Sequence, residues 1–296
     1  MRTQPVEHHI TVAPGVELWV EERGEPDASA LILIMGANAS GLTWPERLLD
    51  RLAAHHRVIR YDHRDTGRSS RVFATAPYGV HDLAEDVVGI LDGLGVERAH
   101  VVGASMGGLL VQLLMLDHPD RLLSATLYST SALRFPGEAL WAGSEMQPNP
   151  DPRLLELWSR LGDERTQEKE LDFRLEQWRL LHGDELPFDP AEFRELEERI
   201  AAHSGTWEPT TAHAAADPSG LNRAPELTRT TVPTLVIEAP LDPVNPPPHA
   251  QHLASLLGSA RFLTIPGLAH TTSDVVLEPL VGAILSQTTW ADAAAR

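Results

Sequence analysis

Ser105 lies in Gly103-Ala104-Ser105-Met106-Gly107, a G-x-S-x-G sequence. An apolar β-type run, His100 to Val102, precedes it and a helix-like apolar run follows. A serine at such a strand-to-helix turn stands exposed above the edge of a sheet. The strained backbone of the turn crowds the positions two before and two after, which gives both glycines a steric reason. The hydroxyl also sits at a helix N-terminus, whose partial positive charge favours a developing anion. The chemistry this implies is nucleophilic acyl transfer. It requires a base, because a serine hydroxyl is a poor nucleophile until its proton is removed.

Of the 14 histidines, His8, His9, His55, His56, His182, His203 and His213 stand in polar or irregular context, and His249 and His252 in a predicted helix. His270 differs. It closes "ARFLTIPGLAH", an apolar strand followed by a glycine-containing loop. That places it on the carboxyl edge of a sheet, where Ser105 emerges and where ligand chemistry in open α/β sheets gathers. Asp242 follows the apolar run in "TLVIEAPLD" and reaches the same edge. There it would hold His270 in one tautomer and stabilise its imidazolium. Asp274 is too close to His270 along the chain to do this, and "LYSTSAL" offers no acid. The tetrahedral oxyanion needs donors: the N–H of Met106, directly after the serine, and by position the N–H of Ala37 in "LILIMGANASG". Asn38 beside it reads either as a polar substrate contact or as a turn residue.

These residues need elements to carry them. "HHITVAPGVELWVEER" reads as two strands joined at Pro14-Gly15. Further strands are expected over Ala30–Met35, Arg57–Tyr61, Ala99–Val102, Ser124–Tyr128, Thr234–Glu238 and Arg261–Ile265. Helices are expected over Pro45–Ala54, His81–Leu94, Met106–Asp117, Pro248–Leu257 and Ser273–Ser286. Strands alternating with helices imply an α/β architecture, a mostly parallel eight-stranded sheet with helices on both faces. The rhythm breaks at residues 132–224, where charge is abundant and no strand signal occurs. Within it Leu171, Leu175 and Trp178, then Phe193, Leu196 and Ile200, recur at helical spacing. The expected organisation is therefore a core of residues 1–131 and 225–296 with a helical insertion at 132–224. Trp141, Trp158, Trp178 and Trp207, four of the seven tryptophans, lie in that insertion.

Composition narrows the function. The chain has 296 residues and a formal net charge of −18. That charge repels nucleic acid and anionic membrane alike. The absence of cysteine removes disulfides, a thiolate nucleophile and Cys-ligated metal. "MRTQPVEHHITVAPG" has no apolar signal-type region, and no run approaches the roughly 18 apolar residues that span a bilayer. The expectation is a cytoplasmic protein without metal or organic cofactor, acting on a small molecule. Its oligomeric state is left open.

The order Ser105, Asp242, His270 and its setting resemble the serine branch of the α/β-hydrolase superfamily. In that superfamily the insertion would be a helical cap over the site. Serine at position 105 disfavours the aspartate-nucleophile epoxide hydrolases and dehalogenases. Met35 stands where many members carry histidine, and Asp65 in "YDHRDTGRSS" where glycine is usual. The stretches "VELW", "MGANAS", "HVVGASMGG", "LDHPDRL", "LDPVNPPPHAQHLA" and "IPGLAH", with "QWRLLHGDELPFDPAEF" in the insertion, resemble the aclacinomycin methylesterases of anthracycline biosynthesis. The resemblance implies hydrolysis of a methyl ester on an aromatic polyketide, without a cofactor. Phe135, Trp141, Trp158 and Trp178 could face such a flat ligand, or pack cap on core. In "YDHRDTGRSS" Asp62 and Arg64 are expected to tie the loop down. The alternatives on the same scaffold are a general carboxylesterase, a C–C bond hydrolase and a cofactor-free perhydrolase. From other classes come a hydrolase-fold ligand-binding protein and a phosphate-binding α/β protein, the latter lacking a phosphate-loop lysine.

Overall fold

Eight apolar runs pair into one sheet in the computed structural model, which describes residues 4–134 and 147–294. The strands are β1 (Val6–Ala13), β2 (Val16–Arg23), β3 (Ala30–Ile34), β4 (Arg57–Tyr61), β5 (Ala99–Ala104), β6 (Leu122–Tyr128), β7 (Thr234–Glu238) and β8 (Arg261–Thr264). Their spatial order is β1-β2-β4-β3-β5-β6-β7-β8. β2 runs antiparallel to both of its neighbours, and from β4 to β8 every pairing is parallel. All parallel strands therefore end on one edge. That edge receives the residues following β3, β5, β7 and β8, which are the segments that carry Ala37, Ser105, Asp242 and His270.

The core has two layers because each central strand is apolar on both faces, as parallel strands covered by helices must be. Leu31 and Leu33 pack with α1 (Glu46–Ala53) and α9 (Asp274–Ala294). Ile32 and Ile34 point the other way, toward α2 (Val80–Gly93) and α3 (Met106–Asp117). All four side chains are fully buried, and each such burial is worth about 1.5–3 kcal/mol over exposure. Between β6 and β7 lie α4 (Pro152–Trp158), α5 (Gln167–His182), α6 (Pro190–Ser204) and α7 (Ala212–Ala215), with α8 (His249–Leu256) after β7. Side-chain caps start the longer inserted helices: Thr166 accepts from Lys169 N, and Asp189 from Ala191 N with Pro190 at the first position. Among the described residues no helix is long and apolar enough to cross a membrane.

One expected boundary misses by more than two residues. The last helix does not stop at Ser286 but runs to Ala294. "SQTTW" reads as polar termination, yet Gln287 and Thr288 are buried. The Gln287 amide donates to the Pro233 carbonyl at 2.9 Å, and Thr288 Oγ1 lies 3.0 Å from His56 Nε2. Tertiary partners thus extend a helix that local sequence would end.

The loop after β4 is held by the two residues expected to tie it. Asp62 is fully buried. Its Oδ1 accepts from Ser40 Oγ (2.6 Å) and Gly41 N (2.8 Å), and its Oδ2 lies 2.9 Å from Arg68 N and 2.7 Å from His203 Nε2 on α6. Arg64 pairs in a bidentate fork with buried Asp86 of α2, its Nε at 2.7 Å. Burial alone would raise the pKa of Asp62, but the His203 bond and charge, then Ser40 and the Arg68 amide, outweigh it and hold the carboxyl below its ordinary value. In the unfolded chain an aspartate titrates near ~3.9. Between the two values the unfolded chain binds more protons, so acid favours unfolding. The stability due to Asp62 is complete above the unfolded value and is lost as pH falls through the folded one. Asp62→Asn should therefore show a smaller loss of urea midpoint than the native chain between neutral pH and about pH 3. Parallel curves for the two proteins would contradict this linkage.

Candidate active site

Ser105 forms the joint between β5 and α3, with φ +55° and ψ −123°. Such a conformation in a non-glycine residue costs on the order of 1–3 kcal/mol. It is held from both sides: Ser105 N donates to Tyr128 O at 3.2 Å, and Ser105 O accepts from Gly108 N at 2.9 Å. The flanking glycines are required by contact. A Cβ on Gly103 would stand 2.5 Å from Gly107 O, and one on Gly107 would stand 2.0 Å from Ile34 O. Both neighbours are backbone, the first of α3 and the second of β3, and cannot yield cheaply. Gly107→Ala should therefore give a low yield of folded protein, or a folded protein with most of its activity lost; native yield and rate would contradict the contact.

His270 follows β8 through Pro266-Gly267. Its Nε2 lies 3.0 Å from Ser105 Oγ, and its Nδ1 lies 2.9 Å from each oxygen of Asp242. Carboxylate oxygens only accept, so Nδ1 carries the proton and Nε2 presents its lone pair to the serine hydroxyl. Asp242 is buried, and its Oδ1 also accepts from Val244 N (2.7 Å) and Asn245 N (3.0 Å). Burial would raise its pKa. The His270 charge and hydrogen bond and the two amides overcome this and hold the carboxyl below the ordinary aspartate value. Two cross-braces tie the strand ends together: Asn245 Nδ2 donates to Ser129 O (3.0 Å), and Ser129 Oγ to Ala269 O (3.1 Å). Helix α5 adds another, because His270 N donates to Leu181 O at 3.2 Å.

Ser105 and His270 open onto a cavity of about 550 Å³ that Gly36, Ala37 and Asn38 also line. Met106 is the first residue of α3, a position whose N–H has no carbonyl partner within its own helix. Asn38 occupies a turn at φ +58°, and its side-chain oxygen accepts from His213 N at 3.3 Å. It therefore acts as a turn residue while bordering the cavity. Trp158 and Trp178 line it as well. Phe135 and Trp141 lie outside the described residues.

Several lining residues escape the sequence reading. Phe173, Gln177 and Leu181 of α5 recur four apart and face the cavity. The apolar faces of α5 and α6 look like core in sequence, and much of that face is cavity wall. Phe193, Leu196 and Ile200 line it. Trp178 stacks on Phe193 at 5.2 Å, and its Nε1 donates to Glu197 at 2.6 Å. Arg174 joins Glu197 (3.0 Å) to Glu170 (2.7 Å), so the aromatic roof is backed by a buried ionic network. Among the described residues no group of three or more His, Asp or Glu stands close enough to hold a metal ion.

Residues 29–275 match the alpha/beta hydrolase fold family. The chain is 44% identical over 283 residues to the rhodomycin D methylesterases of Streptomyces peucetius and Streptomyces sp. (strain C5), covering 92% of this chain and 95% of each relative. Among solved structures it is similar to a hydrolase from Pseudomonas aeruginosa PA01, with a TM-score of 0.71 and 26% identity over 95% of this chain and 97% of that one.

Proposed function

The chain belongs to the alpha/beta hydrolase family, and from that premise we propose that it is a serine ester hydrolase removing the methyl group from a carbomethoxy ester on an anthracycline-like aromatic polyketide. One geometric fact carries the chemistry: Asp242, His270 and Ser105 form an unbroken hydrogen-bond chain at the wall of an aromatic-roofed cavity. Neutral His270 takes the Ser105 proton through Nε2 as Oγ attacks the ester carbonyl. The N–H groups of Ala37 and Met106 receive the charge that develops on the carbonyl oxygen. The intermediate collapses, His270 passes its proton to the departing methoxide, and methanol leaves an acyl group on Ser105. Water then attacks the acyl carbon. His270 takes a proton from that water and returns one to Oγ, releasing the carboxylic acid. Asp242 stays ionised throughout and stabilises the transient imidazolium.

The substrate class follows from the relatives and the cavity together. A match covering 92% of the chain leaves too few residues outside it to omit positions 132–224. We take those positions as the cap over a core of 1–131 and 225–296. The likeness to rhodomycin D methylesterases thus includes the part that roofs the cavity. A volume of about 550 Å³ suits a drug-sized ligand, and the rings of Trp158 and Trp178 offer flat apolar contact. Incubation with rhodomycin D should yield methanol and a product lighter by one methylene unit in the mass spectrum. kcat/KM on that substrate should exceed that on short p-nitrophenyl esters. Rapid turnover of the short esters with rhodomycin D untouched would overturn the substrate class and leave the ester chemistry standing.

A further inference from the structure

Two buried imidazoles play no part in the proton transfers above, and both end on the loop that carries Ala37. His63, from the loop after β4, is fully buried, with Nε2 3.0 Å from the Met35 carbonyl. A carbonyl only accepts, so His63 donates there. His213, on α7, is also buried, and its Nδ1 lies 2.8 Å from Asn38 N. A backbone N–H only donates, so this Nδ1 is bare. His213 Nε2, 3.0 Å from Arg64 O, must carry the hydrogen. The two rings pack edge to face with centroids 5.4 Å apart. Met35 and Asn38 bracket Gly36-Ala37, and that segment runs against the serine: a Cβ on Gly36 would stand 3.1 Å from Ser105 Cβ.

We infer that His63 and His213 are positioning residues of the oxyanion loop, gripping the Met35 carbonyl at one end and the Asn38 amide at the other, and so aiming the Ala37 N–H at the ester oxygen. This rests on the ester hydrolysis by Ser105 proposed above. The device works only with neutral rings, since a proton on His213 Nδ1 would face the Asn38 N–H. Burial supplies that condition. It pushes His63 down to about 3, with the neighbouring His213 acting in the same direction, and it lowers His213 as well. His213 also gives the segment between β6 and β7 a stake in the chemistry, because it ties α7 to the loop.

Amide isosteres separate this role from simple packing. The side-chain oxygen of asparagine stands near an imidazole Nδ1, and the terminal amide of glutamine near Nε2. His213→Asn keeps an acceptor for Asn38 N–H, whereas His213→Gln keeps only the donor to Arg64 O. For His63 the donor at Nε2 matters, so His63→Gln preserves it and His63→Asn does not. His213→Gln and His63→Asn should lower kcat by about 10²-fold with KM nearly unchanged. They should weaken a trifluoromethyl ketone inhibitor, which forms a tetrahedral oxyanion on the serine, by a similar factor. His213→Asn and His63→Gln should keep most of both. Packing ranks the variants of His213 the other way, glutamine filling more of the ring's space than asparagine. Ser105→Ala, assayed alongside, separates the two proposals: full activity there removes the serine mechanism itself. An inactive Ser105→Ala with native kcat in all four histidine variants overturns the positioning role alone. Should a histidine variant not fold, ring ¹⁵N shifts of the native enzyme decide. Both imidazoles must be the Nε2–H tautomer throughout the active pH range, and a protonated His213 in active enzyme overturns the inference.

Discussion

Ser105→Ala is expected to lower kcat by up to about 10⁶-fold and to leave the fold intact. The hydroxyl is the only atom removed, and its protein partner is His270 Nε2 at 3.0 Å. The freed nitrogen faces the cavity, where water can bond it. The strained backbone at position 105 is set by the Tyr128 and Gly108 hydrogen bonds, and alanine bears it as serine does. Activity and thermal midpoint should therefore separate: the first collapses, the second barely moves. A fluorophosphonate should label the native enzyme and not the variant, because only an activated serine reacts. A variant that keeps most of its turnover on the methyl ester would take Ser105 out of the reaction.

Asp242→Asn should cost about 10⁴-fold in kcat, for a reason written in the bonds around Oδ1. That oxygen accepts from both the Val244 and the Asn245 amide. In the variant the two N–H groups claim the only carbonyl oxygen, and the NH₂ group turns to His270. An NH₂ group cannot accept, so Nδ1 becomes the bare nitrogen and the proton moves to Nε2. His270 then points an N–H at Ser105 and has no lone pair with which to take its proton. Raising the pH does not restore the rate, because the fault is the tautomer and not the charge. The ring ¹⁵N shifts of His270 report the switch directly, and kcat across pH reports its consequence. A variant within tenfold of the native rate at any pH would show that Asp242 does not set the tautomer.

The sequence made the sheet edge legible because three signals coincided there. An apolar run ends at Ser105, another before Asp242 and a third before His270, and parallel strands bring their carboxyl ends to one side. Expected and observed strands agree closely, with Arg57–Tyr61 and Thr234–Glu238 matching residue for residue. What stayed hidden depends on contacts between distant segments. His213 stands in polar context and reads as bland, yet it meets Asn38 and Arg64 across 175 and 149 positions of chain. Nothing local marks it. The face of α6 failed differently: Phe193, Leu196 and Ile200 have the spacing of core residues, and periodicity does not distinguish a face that meets protein from one that borders a cavity. α9 overran its expected end because Gln287 and Thr288 find partners on β-strand connections that local composition does not reveal.

The bond from His270 N to the Leu181 carbonyl bears on how new substrate preferences can arise on this scaffold. Grafting a foreign insertion in place of residues 132–224 would be the direct route to another ligand. Here His270, the proposed general base, leans on that segment through its own main chain, and Thr271 beside it is joined to His182 at 3.0 Å. A chimera therefore inherits whatever main-chain carbonyl and side chain the donor places at those two points, along with its selectivity. Changes confined to the inward rings, such as Trp158 or Phe173, leave both anchors in place and offer a smoother path to altered preference than wholesale exchange.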